Sequence, residues 1–365
     1  MKKFILILAF CISCAQTDDT INTPKNIDYE VTNIHQTDYV PWSIEFINND
    51  TFIYTERRGK MFIVSNGTAN EISNVPDVYL KNQGGLLDIE LHPNFNQNKT
   101  IFFSFSKGNK EDGANTAIAS AKLTGNALGE LKILYQGQEM TNASLHWGSR
   151  LQFDDEGYLY FTIGDRGNRN KNPQDISRDA GKVYRINEDG SIPSDNPFID
   201  VSGARQAIYS YGHRNPQGMF KHPETGKIWT NEHGPRGGDE INVVDAGKNY
   251  GWPKITYGIN YSGTTITNDK ALPGMEQPLY YWVPSIAPSG FDYLNSNIYD
   301  DWKGSILVGS LKYMYLERLV LENNKVTYRE KVAENVGRVR DVKVSPDGYI
   351  YLAVDNKGIF KLTPK

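Results

Sequence analysis

Asp154-Asp155-Glu156-Gly157, followed by Tyr158-Leu159-Tyr160-Phe161-Thr162-Ile163, is a tight polar turn feeding a short apolar and aromatic strand. The same unit returns along the chain. Asn48-Asn49-Asp50 precedes Thr51–Thr55, and His92-Pro93-Asn94 with its Asn-rich sequel precedes Thr100–Phe105. His222-Pro223-Glu224-Thr225-Gly226 precedes Lys227–Asn231, and Asp301-Trp302-Lys303-Gly304 precedes Ser305–Gly309. Ser345-Pro346-Asp347-Gly348 precedes Tyr349–Val354. Six such units at irregular spacing suit an all-β, six-bladed β-propeller, whose blades tolerate insertions in the loops of one face. The long gaps from Asp165 to Ala204 and from Ala246 to Ser285 are expected as loops over that face. A β-sandwich with a second domain is the competing architecture, but no linker-like change of composition appears between Ile27 and Lys365.

Composition agrees with β structure: 22 Tyr, 15 Phe, 6 Trp and 33 Gly in 365 residues, with no long helical periodicity. So long a chain exceeds what one ordinary core covers, whereas a closed ring of repeats adds units around an axis. The formal net charge is −4, and taking Lys2 and Lys3 from the 39 basic residues leaves 37 against 43 acidic, or −6. A mildly acidic chain has no long-range attraction for nucleic acid, so its functional arginines must act locally.

At the N-terminus, Lys2 and Lys3 precede the apolar run Phe4 to Ile12, too short to span a bilayer as a mature helix. The run closes on Cys11-Ile12-Ser13-Cys14. It looks like a bacterial lipoprotein signal over residues 1–13, with Cys14 lipidated, although Cys11 stands where such signals usually carry Leu. An ordinary signal peptide cut a few residues later is the alternative; either way the protein is expected to be exported, facing the periplasm or the cell surface. Residues 14–26 then form a lipidated Cys and polar tether, residues 27–365 the propeller, and the only membrane contact is through the lipid. Both cysteines lie in this leader, which excludes a disulfide, cysteine nucleophile or cysteine metal site from the body.

Four segments carry polar residues that strand periodicity does not explain. In Asn82-Gln83-Gly84-Gly85 the glycines permit close backbone approach, and Gln83 can hydrogen-bond what approaches; paired glycines also mark ordinary turns. In Leu145-His146-Trp147-Gly148-Ser149-Arg150, His146 is a candidate general base, with Asp165 of Gly164-Asp165-Arg166-Gly167 able to orient it. A structural histidine satisfied by backbone fits the same residues. The richest stretch runs from Ser210 through Gly212-His213-Arg214-Asn215 and Glu232-His233-Gly234-Pro235-Arg236-Gly237-Gly238-Asp239-Glu240 to Tyr250-Gly251-Trp252. Asp239 and Glu240 among glycines that free backbone carbonyls suit a hard, oxygen-seeking cation, namely calcium. A zinc site on His233 is disfavoured, because no second His stands at helical spacing. Finally, alternation in Gly337-Arg338-Val339-Arg340 puts Arg338 and Arg340 on one face as an anion clamp, with Lys312 a possible third cation; a solvated edge strand is the alternative. Together these residues describe a basic pocket for a small, multiply anionic ligand, with calcium and a histidine base.

The segments, in order, resemble the soluble pyrroloquinoline-quinone-dependent sugar dehydrogenase family. The matching stretches begin QGGLLDIELHPNF at Gln83 and LHWGSRLQF at Leu145, continue through YSYGHRNPQG, EHGPRGGDEINVVDAGKNYGWP and PSIAPSG, and end with GRVRDVKVSPDG at Gly337. The resemblance implies a six-bladed propeller that oxidises aldose sugars at C1 to the lactone, using pyrroloquinoline quinone and calcium and passing electrons to an external acceptor. It makes His146 the catalytic base, Asp165 its partner and Arg214 the cation beside the reacting quinone oxygen. It makes Gln83, Asn215 and Tyr261 cofactor contacts, and Lys312, Arg338 and Arg340 the holders of the cofactor carboxylates. The carbonyls of Gly234 and Pro235 become ligands of the cofactor's calcium; Glu240 and the Tyr250 carbonyl, with Asp239 beside them, become a structural calcium site.

Two departures bear on the branch. Val283 stands where glucose-specific members carry Trp ahead of the Pro, with Trp282 displaced by one, and the loops from Ala246 to Pro284 are compact. Both point to the aldose branch and to a monomer. Rival readings are a calcium-dependent propeller lactonase or esterase, which needs no cationic clamp, and a non-catalytic glycan- or protein-binding propeller.

Overall fold

The computed structural model describes residues 27–323 and 325–365. The leader, Cys14 and the tether up to Asn26 lie outside the described residues. Among the described residues the strands form six four-stranded antiparallel sheets. Blade I runs Pro41–Asn48, Thr51–Glu56, Lys60–Ser65 and Thr68–Glu71; blade II runs Leu86–Leu91, Thr100–Asn109, Gly113–Thr124 and Ala127–Gln136. Blade III is Leu151–Phe153, Leu159–Ile163, Lys182–Ile186 and Ile208–Tyr211, and blade IV is Pro216–Lys221, Ile228–Glu232, Asp239–Val243 and Tyr280–Trp282. Blade V is Pro288–Tyr293, Ile306–Ser310, Tyr315–Glu322 and Lys325–Val332. Blade VI is Val339–Val344, Ile350–Val354 and Gly358–Pro364, and its outermost strand is the N-terminal segment Tyr29–His35.

The first strand of each blade touches the first strands of its neighbours, and those of blades VI and I touch each other, so the ring closes. Closure removes the open sheet edges that a linear array would expose. All six turn-and-strand units of the sequence are the second strands of the six blades. Each buries one face against the next blade, so the apolar core is divided among the blade interfaces. Phe103 and Phe105 pack between blades I and II, and Leu159, Phe161 and Tyr184 between II and III.

The long gaps were expected as loops over one face, and the structure corrects both. The gap from Asp165 to Ala204 is split by the strand Lys182–Ile186, which puts residues 187–207 on the opposite face. The gap from Ala246 to Ser285 contains the outer strand Tyr280–Trp282. Its earlier part climbs beside blade III, where the Tyr250 amide donates to the Tyr211 carbonyl at 2.8 Å, and carries Trp252 to Tyr261 onto the expected face.

The axis is polar where an ordinary core would be apolar. Arg150, 4% exposed, bridges Asp88 at 2.9 Å and Asp341 at 2.8 Å, and its guanidinium lies 4.3 Å from the centre of the Trp42 ring. Each carboxylate also ties down an inner strand: Asp88 accepts from the Leu151 amide and Asp341 from the Ile44 amide. Such a buried cluster is stable only when every charge is paired and hydrogen-bonded, as here.

Candidate active site

Antiparallel order fixes where the functional residues meet. First strands begin, and second strands end, on one face of the ring. Arg214 and Asn215 directly precede the first strand of blade IV, and Arg338 precedes that of blade VI. Asp165, Gly234 and Lys312 follow second strands, as do Arg57 and Asp355. A cleft of about 360 Å³ on this face is lined by His146, Asp165, Arg169, Arg214, Trp252 and Tyr261, among others.

His146 has φ of 55°, in the left-handed region, and its amide is held by the Gln83 side-chain oxygen at 2.8 Å. The chain crosses here so closely that a Cβ on Gly164 would sit 2.3 Å from the His146 carbonyl oxygen, which requires glycine at that position. His146 Nδ1 meets Asp165 Oδ1 at 2.6 Å. Asp165 is buried; Oδ1 also accepts from the Gly167 amide at 2.7 Å, and Oδ2 from Trp252 Nε1 at 2.9 Å. Burial opposes ionisation of Asp165, but the His146 bond and its charge outweigh it and hold the carboxyl below its usual range. An ionised Asp165 accepts a hydrogen bond from Nδ1–H, which leaves Nε2 of His146 as a free lone pair facing the cleft. Burial and then the Arg214 charge push the His146 pKa down, against the pull of Asp165, so the ring is a neutral base at neutral pH.

Arg214 donates from Nη1 to the carbonyls of His233 at 2.9 Å and Gly234 at 3.0 Å, with Trp252 beside its guanidinium. Asn215 uses its side-chain oxygen on the Gly148 amide at 3.1 Å, as Gln83 uses its own on His146. Both amides therefore position the histidine loop, and their NH₂ ends remain for a ligand.

The expected clamp has a different construction from the one periodicity suggests. The strand begins only at Val339, and a register shift between Val339 and Asp341 breaks the alternation. Arg338 is half-exposed and Arg340 buried, yet both reach one carboxylate, Asp355. Arg340 binds it through Nε at 3.2 Å and Nη2 at 3.1 Å, and Arg338 through Nε at 3.2 Å. Burial would raise the Asp355 pKa, but Arg340 and then Arg338 hold it below the ordinary value. Lys312 donates to the Ser285 carbonyl at 3.1 Å. Two guanidinium groups on one carboxylate, with Lys312 held by a neutral carbonyl, leave an excess of positive charge, which fits an incoming anion carrying several carboxylates.

Asp239 and Glu240 separate, because neighbours in a strand face opposite ways. Asp239 is a clasp. Its oxygens accept from the amides of Gly234 at 2.7 Å, Ile286 at 2.7 Å and Ala287 at 3.0 Å, while burial lifts its pKa to about 6. Glu240 instead lines a small cavity with Glu232, Gly234 and Tyr250. Burial and the neighbouring Glu232 push the Glu240 pKa well up, and no described residue donates to the Tyr250 carbonyl. Two close carboxylates and a free carbonyl fit a calcium ion, which would relieve their repulsion. Pro235 also has a free carbonyl, whereas that of Gly234 is shared with Arg214.

Sequence reasoning missed Glu232, Arg57, Arg169 and Asp355. Glu232 accepts from the Arg214 amide at 2.6 Å and pairs with buried His213 at 2.9 Å. The signal for Arg57 and Asp355 was their shared place after a second strand. Tyr261 is 72% exposed at the rim of the cleft, and Val283 is 61% exposed, while Trp282 turns inward to Glu317. A larger groove, of about 1010 Å³, opens on the opposite face around His92 and Glu188. Both ring nitrogens of His92 are occupied, by the Asn94 amide and by Glu188, so its imidazole has no free nitrogen in that groove.

The glucose/sorbosone dehydrogenase family model matches residues 38–361. The chain belongs to that family. It is 37% identical to aldose sugar dehydrogenase YliI of Escherichia coli (strain K12) over all of this chain and 99% of the relative. It is 27% identical to quinoprotein glucose dehydrogenase B of Acinetobacter calcoaceticus over 92% of this chain and 86% of that protein. The crystal structure of the soluble E. coli aldose sugar dehydrogenase in the apo-form superposes with a TM-score of 0.87, at 35% identity, covering 93% of this chain and all of that one. Membership makes the chain a relative of oxidoreductases acting on sugars and agrees with the propeller expected from its repeats.

Proposed function

We propose that this protein oxidises aldose sugars at the anomeric carbon to the lactone, with pyrroloquinoline quinone and calcium bound on the His146 face. The observation that carries the reading is His146 itself: a neutral imidazole with Nε2 free, locked through Nδ1 to a buried Asp165, across a cleft from Arg214. The relatives named above support the sugar class and, through the quinoprotein, the cofactor class.

When bound, the quinone supplies the two-electron acceptor for the C1 hydride. The protein contributes position and charge. His146 Nε2 takes the proton of the anomeric hydroxyl, and Asp165 stabilises the resulting imidazolium without itself being protonated. Arg214 places a guanidinium where negative charge develops, held in place by the His233 and Gly234 carbonyls. Lys312, Arg338 and Arg340 would hold the cofactor's carboxylates, the NH₂ groups of Gln83 and Asn215 would meet its polar edge, and the Pro235 carbonyl, with that of Gly234, would hold the calcium beside it. Glu240, Glu232 and the Tyr250 carbonyl would hold a second calcium.

The test is reconstitution of the purified domain with quinone and calcium, followed by reduction of an artificial acceptor across a panel of aldoses. Turnover should depend on both additions and fall by about 10²–10⁴-fold in His146→Ala, the usual share of a general base. Folded protein that takes up no quinone in the presence of calcium would refute the proposal.

A further inference from the structure

Arg338 and Arg340 are already engaged. Their guanidinium groups share Asp355, Arg338 also donates to the Leu311 carbonyl at 3.0 Å, and Arg340 to Gln217 at 3.3 Å. A carboxylate arriving on this face meets only the N–H groups those bonds leave over, on guanidinium groups whose charge is already shared with Asp355. One neighbouring guanidinium has nothing to give up.

Arg57 closes the second strand of blade I, the place that Asp355 holds in blade VI. Its backbone is pinned on both sides: its amide donates to Val40 and its carbonyl accepts from Leu86, each at 3.0 Å. Its stem is seated on Gly85, where a Cβ would lie 1.8 Å from the Arg57 carbonyl oxygen and 2.8 Å from its Cγ. The adjoining Gly84 makes the same kind of room for the Trp147 ring. The glycine pair that the sequence marks for close approach therefore admits Arg57 and Trp147. The side chain is about half-buried, within electrostatic range of Arg340, Asp355 and Arg338, and burial and then Arg340 lower its pKa. Among the described residues no hydrogen-bond acceptor meets its guanidinium.

We infer that Arg57 is a further binding residue for the carboxylates of the anionic cofactor, and the unspent member of the cationic cradle. This assignment rests on the function proposed above. Charged groups facing it are Arg338, Arg340 and Asp355, so the local balance is positive before any ligand binds. A ligand carboxylate gains a charge-assisted bond from Arg57 without breaking an internal one, whereas Arg338 and Arg340 must share theirs with Asp355.

The experiment titrates pyrroloquinoline quinone, with calcium present, into wild type, Arg57→Gln and Arg57→Lys, and reads quenching of tryptophan fluorescence. Arg57→Gln should weaken binding about tenfold or more, the size of one charge-assisted hydrogen bond, and flatten its salt dependence. Arg57→Lys should fall between, keeping charge but losing the fork. Melting temperatures of Arg57→Gln without quinone should not fall, because the guanidinium makes no internal hydrogen bond among the described residues and burial and Arg340 disfavour its charge. Equal affinity and equal salt dependence in wild type and Arg57→Gln would overturn the inference. If Arg57→Gln does not fold, wild-type affinity in Arg57→Lys overturns it instead. A wild type that binds no quinone refutes the proposed function itself, which separates the two failures.

Discussion

Replacing Asp165 with Asn tests the hold on the catalytic histidine with almost no change of shape. Asp165 receives three donors: His146 Nδ1–H at 2.6 Å and the Gly167 amide at 2.7 Å on Oδ1, and Trp252 Nε1–H at 2.9 Å on Oδ2. Asparagine has only one accepting oxygen. If its NH₂ replaces Oδ1, it confronts two donors, and His146 must move its proton to Nε2, which abolishes the free base. If its NH₂ replaces Oδ2, it confronts the Trp252 indole in a buried site. Leaving one buried donor unsatisfied costs about 1–3 kcal/mol, and the wrong tautomer removes most of the contribution of general base catalysis. We expect kcat to fall by about 10²–10⁴-fold with a smaller change in KM. The pH profile adds a second readout. Activity is lost on acidification as His146 becomes protonated, and burial together with Arg214 puts that limb below the ordinary histidine value. Asp165 pulls the other way, so its neutralisation should move the limb to lower pH still. The assay is steady-state acceptor reduction from pH 4 to 9, with thermal melting to establish folding. A folded Asp165→Asn enzyme within about threefold of wild-type kcat, with an unmoved acid limb, would refute the reasoning; it would make the pair merely structural.

Arg150→Met should cost about 3–5 kcal/mol in chemical denaturation, because it leaves Asp88 and Asp341 buried without their cation. Burial already lifts the Asp341 pKa to about 6 despite Arg150. The cost of ionising it is absent at low pH and complete above the folded pKa, so the loss should be smaller at pH 5 than at pH 8; a loss below about 1 kcal/mol at both would contradict the pairing. Calcium should raise the melting temperature of the quinone-free protein at pH 7–8 and lose that effect in Glu240→Gln. Unchanged calcium stabilisation in the variant would place the ion elsewhere.

Some of the site was legible because it is written in contiguous chain. His146, Asp165 and Arg214 stand in short glycine-rich segments that interrupt strand alternation, and the structure brings all three to one cleft. Asp239 and Glu240 looked like one ligand pair because they are adjacent, but strand alternation sends one to the backbone amides and the other to the cavity. Asp355 and Arg57 left no signal beyond their place after a second strand. Each follows an ordinary strand, and only ring closure brings blade VI against blade I.

By itself, the sequence determined the second strand of every blade, because each is specified by a turn and by the side chains directly after it. That made six repeats and an all-β propeller readable before any coordinates. Only the tertiary structure decided how the charges are shared: which carboxylate Arg338 and Arg340 already hold, that Arg57 beside them meets no acceptor among the described residues, and which amide oxygen fixes His146. Those outcomes depend on segments distant in the chain, brought within hydrogen-bond reach when Tyr29–His35 completes the last blade and all six first strands face one axis.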